Sequence, residues 1–90
     1  MADIIKRATA GTMESSDAYV EIEPCDDGIK IELESVVEKQ FGESIRNVAK
    51  EVLCDMDVKN ALLRITDKGA LECVLRARIE TAVLRGEGEN

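Results

Sequence analysis

Between residues 18 and 34 the chain alternates twice between apolar and charged side chains, and no other feature of its 90 residues limits the fold as sharply. Ala18, Val20 and Ile22 interleave with Tyr19, Glu21 and Glu23 until Pro24 stops the run. After Asp26-Asp27-Gly28 the alternation resumes, with Ile29, Ile31 and Leu33 between Lys30, Glu32 and Glu34. Successive side chains of an extended chain point to opposite faces, so a period of two marks a half-buried strand. Pro removes a ladder donor and Asp-Gly favours a tight turn. The two runs therefore read as one hairpin, with an aliphatic face toward a core and an acidic face toward water.

The period then changes. Ser35-Val36-Val37-Glu38 has the spacing of a capping box, in which the Ser hydroxyl and the Glu carboxylate satisfy each other's end of the first helical turn. Val37, Phe41, Ile45, Val48, Ala49, Val52, Leu53 and Met56 follow at spacings of three and four, which puts them on one stripe of a helix that must be buried. Gly42 weakens that helix by about 1 kcal/mol relative to Ala. Residues 57–60 break the pattern, and Ala61, Leu63 and Ile65 alternate with Leu62, Arg64 and Thr66 in a further strand. Leu62 makes its second face apolar too, as expected of a central strand. Asp67 is placed to cap a last helix whose stripe is Ala70 or Leu71, Val74, Leu75, Ile79, Ala82 and Val83. Residues 86–90 read as a polar, flexible end, and residues 3–12 as an edge strand or a frayed arm. The expected fold is α+β, a single domain over residues 1–90 in which a small, mostly antiparallel sheet of three to four strands is covered on one face by two helices.

Composition narrows the chemistry. With no Trp, one Phe and one Tyr, the core is aliphatic and aromatic stacking is not a means of binding. The three cysteines form no Cys-x-x-Cys pair and there is no His, which speaks against a metal site or a disulfide framework and for reduced thiols in the cytoplasm. No run of apolar residues has the length of a signal peptide core or a membrane span. The net charge is -7, and residues 14–34 hold eight acids against Lys30 alone. That field disfavours nucleic acid and suits a basic protein partner, although for most of these acids a solvated strand face is the better account.

Two hydroxyls stand out. Gly11-Thr12-Met13-Glu14-Ser15-Ser16-Asp17 collects turn-forming residues ahead of the first alternating run, so Ser15 and Ser16 are expected to face water. In a chain without His neither serine has a base to activate it, and self-contained catalysis has little support. Cys73 reads as a small core residue of the last helix. Arg76 and Arg78, two apart, fall on different sides of that helix, either as surface cations or as groups that grip phosphate or partner carboxylates.

The same turn carries a resemblance. Gly11-Thr12-Met13-Glu14-Ser15-Ser16-Asp17 is similar to the Gly-Thr-Leu-Glu-Ser-(Ser/Gly)-Asp stretch of the acyl carrier (gamma) subunits of citrate lyase, with Met for Leu. Val37-Glu38-Lys39-Gln40-Phe41-Gly42 and the stretch from Asp67-Lys68-Gly69-Ala70 through Leu71-Glu72-Cys73-Val74-Leu75-Arg76-Ala77-Arg78 resemble the same family, in order along most of the chain. The resemblance implies that Ser15 bears a covalently attached 2'-(5''-phosphoribosyl)-3'-dephospho-coenzyme A, installed by a prosthetic-group transferase. Its thiol would carry acetyl and citryl thioesters between the alpha (acyl transferase) and beta (citryl lyase) subunits as citrate is cleaved to acetate and oxaloacetate. The chain itself would be a non-catalytic carrier that binds no metal, nucleic acid or membrane. Alternative readings are the carrier subunit of malonate decarboxylase, which uses a similar arm, and an acidic interaction domain with no prosthetic group. Ordinary acyl carrier proteins are helical bundles with an Asp-Ser-Leu motif that this chain lacks.

Overall fold

The alternating runs do become strands, but they are not neighbours. In a computed structural model, which describes residues 4–35 and 38–88 and the side chains of 4–35 and 42–88, the elements follow the order β1 (Ala8–Gly11), β2 (Ala18–Glu23), β3 (Ile29–Ser35), α1 (Glu38–Asp55), β4 (Ala61–Asp67) and α2 (Glu72–Gly86). The strands lie in one sheet in the order β1-β2-β4-β3, and β4 is antiparallel to β2 and parallel to β3. The expected hairpin of residues 18–34 is thereby corrected. Its arms run in opposite directions, as in a hairpin, but β4 lies between them.

The physical reason is that the alternation marks a buried face and leaves the neighbour open. Two strand spacings come to about 10 Å, and five linking residues reach farther than that. Residues 24–28 thus cross the end of β4, where Gly28 accepts from the Ala61 amide and donates to Asn60 Oδ1, both at 3.0 Å. The hairpin that does form is β1 with β2, in register Gly11 to Tyr19 and Ala10 to Val20, and its connection is the serine turn. β4 is central, as expected from Leu62 on its second face.

Both helices cover the same face of this mostly antiparallel sheet, α2 over β1 and β2, and α1 against α2 and β3. Ala18, Val20 and Ile22 of β2 and Ala61, Leu63 and Ile65 of β4 are buried beneath them. Ile45, Val48, Ala49, Val52 and Leu53 supply α1's side of the core, and Leu75, Ile79, Ala82 and Val83 that of α2. Val37 and the Phe41 side chain lie outside the described ones. Cys73, expected in the core, is exposed: two positions from Leu75 on a helix turns it to the opposite side. Just past the end of α1 the chain turns at Asp57, whose φ is 60°; its amide donates to the Cys54 carbonyl and that of Val58 to the Leu53 carbonyl.

The two residues expected to cap the helices meet each other. Ser35 and Asp67 close their strands as register partners, and the Ser35 hydroxyl donates to Asp67 Oδ2 at 2.9 Å across the sheet. The Glu38 half of the capping box falls among side chains outside the described ones. Asp67 in turn accepts from the Ala70 amide at 3.0 Å and shapes the turn before α2, whose N-cap position is Leu71. At the other end, Gly86 is helical and buried, not the start of a loose tail. Its carbonyl accepts from the amides of Ile5 and Lys6, and a Cβ there would stand 3.0 Å from Ile22 Cγ2. Among the described residues no helix is long and apolar enough to cross a membrane.

Candidate functional site

The serine turn is held from beneath and left open above. Gly11 enters it at φ 91°, and a Cβ at that position would lie 1.8 Å from the Ala18 carbonyl oxygen, so only glycine lets the hairpin close there. Thr12 then turns its hydroxyl inward, donating to Asp17 Oδ2 at 2.7 Å and accepting from the Glu14 amide at 3.2 Å. The Asp17 amide donates to the Glu14 carbonyl at 3.2 Å, which closes the turn on itself.

A second strand end anchors it. The Ser16 amide donates to the Lys68 carbonyl at 2.8 Å, and the Lys68 amide returns to the Asp17 carbonyl at 2.9 Å. Lys68 follows β4 directly, so the turn is tied to the centre of the sheet as well as to its own hairpin. Ser16 sits at φ 66°, a left-handed conformation that costs an ordinary residue energy and glycine almost nothing.

Asp17 is the hub. Arg78 of α2 grips it in a fork, Nε to Oδ1 and Nη2 to Oδ2, both at 2.9 Å, while Oδ1 also accepts from the Ala18 amide at 2.7 Å. The Arg78 hydrogen bond first, then those from Thr12 and Ala18, hold this carboxyl well below the usual carboxylate range. A bidentate guanidinium–carboxylate pair fixes orientation as well as distance. The turn is therefore clamped to α2 through a residue pair 61 positions apart in the chain.

Against this frame Ser15 and Ser16 are both exposed, and so is Met13, at 53 %. The two arginines separate as their spacing requires. Arg78 faces the turn, whereas Arg76 pairs with Glu72 at 3.1 Å and with Glu51 of α1. Asp17 and Arg78 as a unit were not legible in the sequence; the one signal was an Asp closing a turn and an Arg off the apolar stripe, with nothing to join them.

The acidic segment is less bare than its sequence suggests. Glu21 pairs with Arg7 at 2.7 Å, Arg64 bridges Glu23 and Glu32, and Asp27 meets Lys30 at 3.7 Å. With Asp17 on Arg78, five of the eight acids are met by cations, three of which come from outside residues 14–34.

Known proteins share both sequence and fold with this chain. The family model described as "Malonate decarboxylase delta subunit (MdcD)" matches residues 5–86. A protein of Escherichia fergusonii named citrate lyase acyl carrier protein is 58% identical over 92% of this chain and 87% of its own length. Proteins of the same name are 56% identical in Vibrio cholerae, over 87% of this chain and 81% of theirs, and 49% identical in Streptococcus uberis, over 96% and 85%. Among solved structures, a chain of a Pseudomonas malonate decarboxylase hetero-tetramer in complex with malonate superposes with a TM-score of 0.79 at 22% identity, covering 96% of this chain and 92% of that one. At that identity the likeness is one of fold.

Proposed function

This chain belongs to the acyl carrier family that includes the citrate lyase acyl carrier proteins, and from that premise we propose that Ser15 is the attachment point of its prosthetic group. The observation that carries the reading is an exposed hydroxyl on a turn whose neighbours are all tied down: Thr12 and Asp17 to each other, Ser16 to Lys68, and Asp17 to Arg78. Such a frame presents one side chain to a modifying enzyme and holds the base of an arm still afterwards. The left-handed backbone at Ser16 supports the choice between the two serines, because a position that glycine fills well is one whose hydroxyl is dispensable.

The residues present suit an arm joined through a phosphodiester, which needs a reachable hydroxyl and no acid or base from the carrier. The group is 2'-(5''-phosphoribosyl)-3'-dephospho-coenzyme A, whose thiol carries acyl groups as thioesters. The chain's own part is placement: its core and clamp set where the arm begins, and the alpha and beta subunits of citrate lyase do the chemistry. With no His in the chain, Ser15 has no imidazole to activate it as a nucleophile, in keeping with a carrier in the cytoplasm that is modified by a separate transferase. The fold likeness to the malonate decarboxylase assembly leaves that enzyme's carrier as the second reading; relatives at 49–58% identity favour citrate lyase.

The test is intact-mass analysis of the chain coexpressed with the attaching enzyme. Ser15→Ala is expected to stay at its bare mass and give inactive lyase, with stability changed by only about 0.5 kcal/mol. Ser16→Gly is expected to gain the arm in full. A modified Ser15→Ala protein refutes the assignment, and bare wild-type protein from cells making active lyase moves the reading to an interaction domain without a prosthetic group.

A further inference from the structure

We propose that the outer edge of β3, which pairs with no strand among the described residues, receives with the groove beside it an extended segment of a catalytic partner subunit by strand addition. The proposal rests on the carrier reading, since it supplies that carrier with a second hold on its complex.

The sheet has two edges, and they are not equivalent. β1 is four residues long, the Arg85 side chain donates to its Thr9 carbonyl at 2.9 Å, and the segment ahead of it is hydrogen-bonded to Gly86. That edge is blunted. β3 is seven residues long, pairs with β4 on one side, and is half-buried at best along its length. A long strand edge of this kind offers backbone donors and acceptors to another extended chain.

Beside it runs a groove of about 510 Å³ between β3 and the C-terminal half of α1. Ile29, Ile31 and Leu53 line it with apolar surface, and Arg46, Lys50 and Lys59 bring basic groups to it. Ile29 is 37% exposed, whereas its register partner on β4, Ala61, is fully covered. Asp57, paired with Lys59 at 3.2 Å, is the single acid among the groove's lining residues against three cations, a basic balance in a chain of net charge -7.

Those features select the occupant. An added strand places every second side chain over the groove, where apolar residues meet Ile29 and Ile31 while flanking carboxylates meet the lysines. A second copy fits less well. Pairing two β3 strands antiparallel about Ile31 sets Lys30 opposite Glu32, but it also brings two basic grooves together.

Hydrogen exchange on the chain alone and in the coexpressed citrate lyase complex tests this. Exchange across residues 29–35 is expected to slow at least tenfold on assembly, and Lys50→Glu with Lys59→Glu, both at exposed positions, to weaken assembly at least tenfold without changing the thermal midpoint. A complex whose β3 amides exchange as in the free chain, or one that tolerates both reversals, overturns the proposal. Protection of the same amides by self-association of the isolated chain overturns it in favour of a second copy. A chain that joins no lyase subunit overturns the carrier reading and this proposal with it.

Discussion

One carboxylate decides whether the turn is a frame or a loose loop. Asp17 accepts from Arg78, Thr12 and Ala18 at once, and each of those bonds favours its charged form. Because the folded carboxyl lies below its unfolded value of about 3.9, its contribution to stability is complete above that pH and fades as pH falls through the lower folded value. The urea midpoint of wild type is thus expected to exceed that of Asp17→Asn at pH 5–7, with the gap closing below about pH 4. A gap that stays constant down to pH 2 would assign the difference to shape and not to charge. Since Lys cannot reproduce the fork, Arg78→Lys is expected to slow attachment at Ser15 by about tenfold or more, as a small misplacement of a reacting group does.

The β1–β2 hairpin carries the turn, and its closure depends on Gly11. A methyl group at that position meets the Ala18 carbonyl oxygen at 1.8 Å, so accommodation requires the two strand ends to part. Gly11→Ala is accordingly expected to cost about 3 kcal/mol, as backbone strain and overpacking together do, and to reduce Ser15 modification in parallel. Urea melts and mass spectrometry on the same variant check both halves; a modified variant with an unchanged midpoint would show that the hairpin end tolerates a side chain. The other elements serve this one by position. β4 delivers Lys68 to the turn, and α2 delivers Arg78.

As a whole the chain has one aliphatic core between two helices and a four-stranded sheet, and its stability should be about 5–10 kcal/mol, ordinary for this size. Leu63 lies fully buried on the central strand beneath the helices. Leu63→Ala is expected to cost about 3 kcal/mol, a third or more of that total, and to leave unfolding cooperative; chemical denaturation measures it. The surface ion pairs around Arg64 are exposed and add little by comparison. Their larger effect is on charge: they mute the acidic face and leave the groove beside β3 as a basic feature that a partner can read.

Periodicity alone determined the strands β2, β3 and β4 and both helical stripes, because a period of two or of 3.6 follows directly from which side chains must leave water, and the turn-forming residues 11–17 determined the exposed serine turn. The resemblance of the serine turn to the citrate lyase carriers singled out Ser15 as the residue to test. Tertiary structure decided what stands across from what. Ladder hydrogen bonds are chemically alike for any pair of strands, so alternation at residues 18–34 could not say that β4 would come between its two runs. Ser35 met Asp67 because β3 ended opposite it, and residues 14–34 lost much of their field because Arg7, Arg64 and Arg78 arrived from elsewhere in the chain. The clamp on the serine turn belongs to the same class: a carboxylate and a guanidinium find each other only once α2 has packed across β1 and β2.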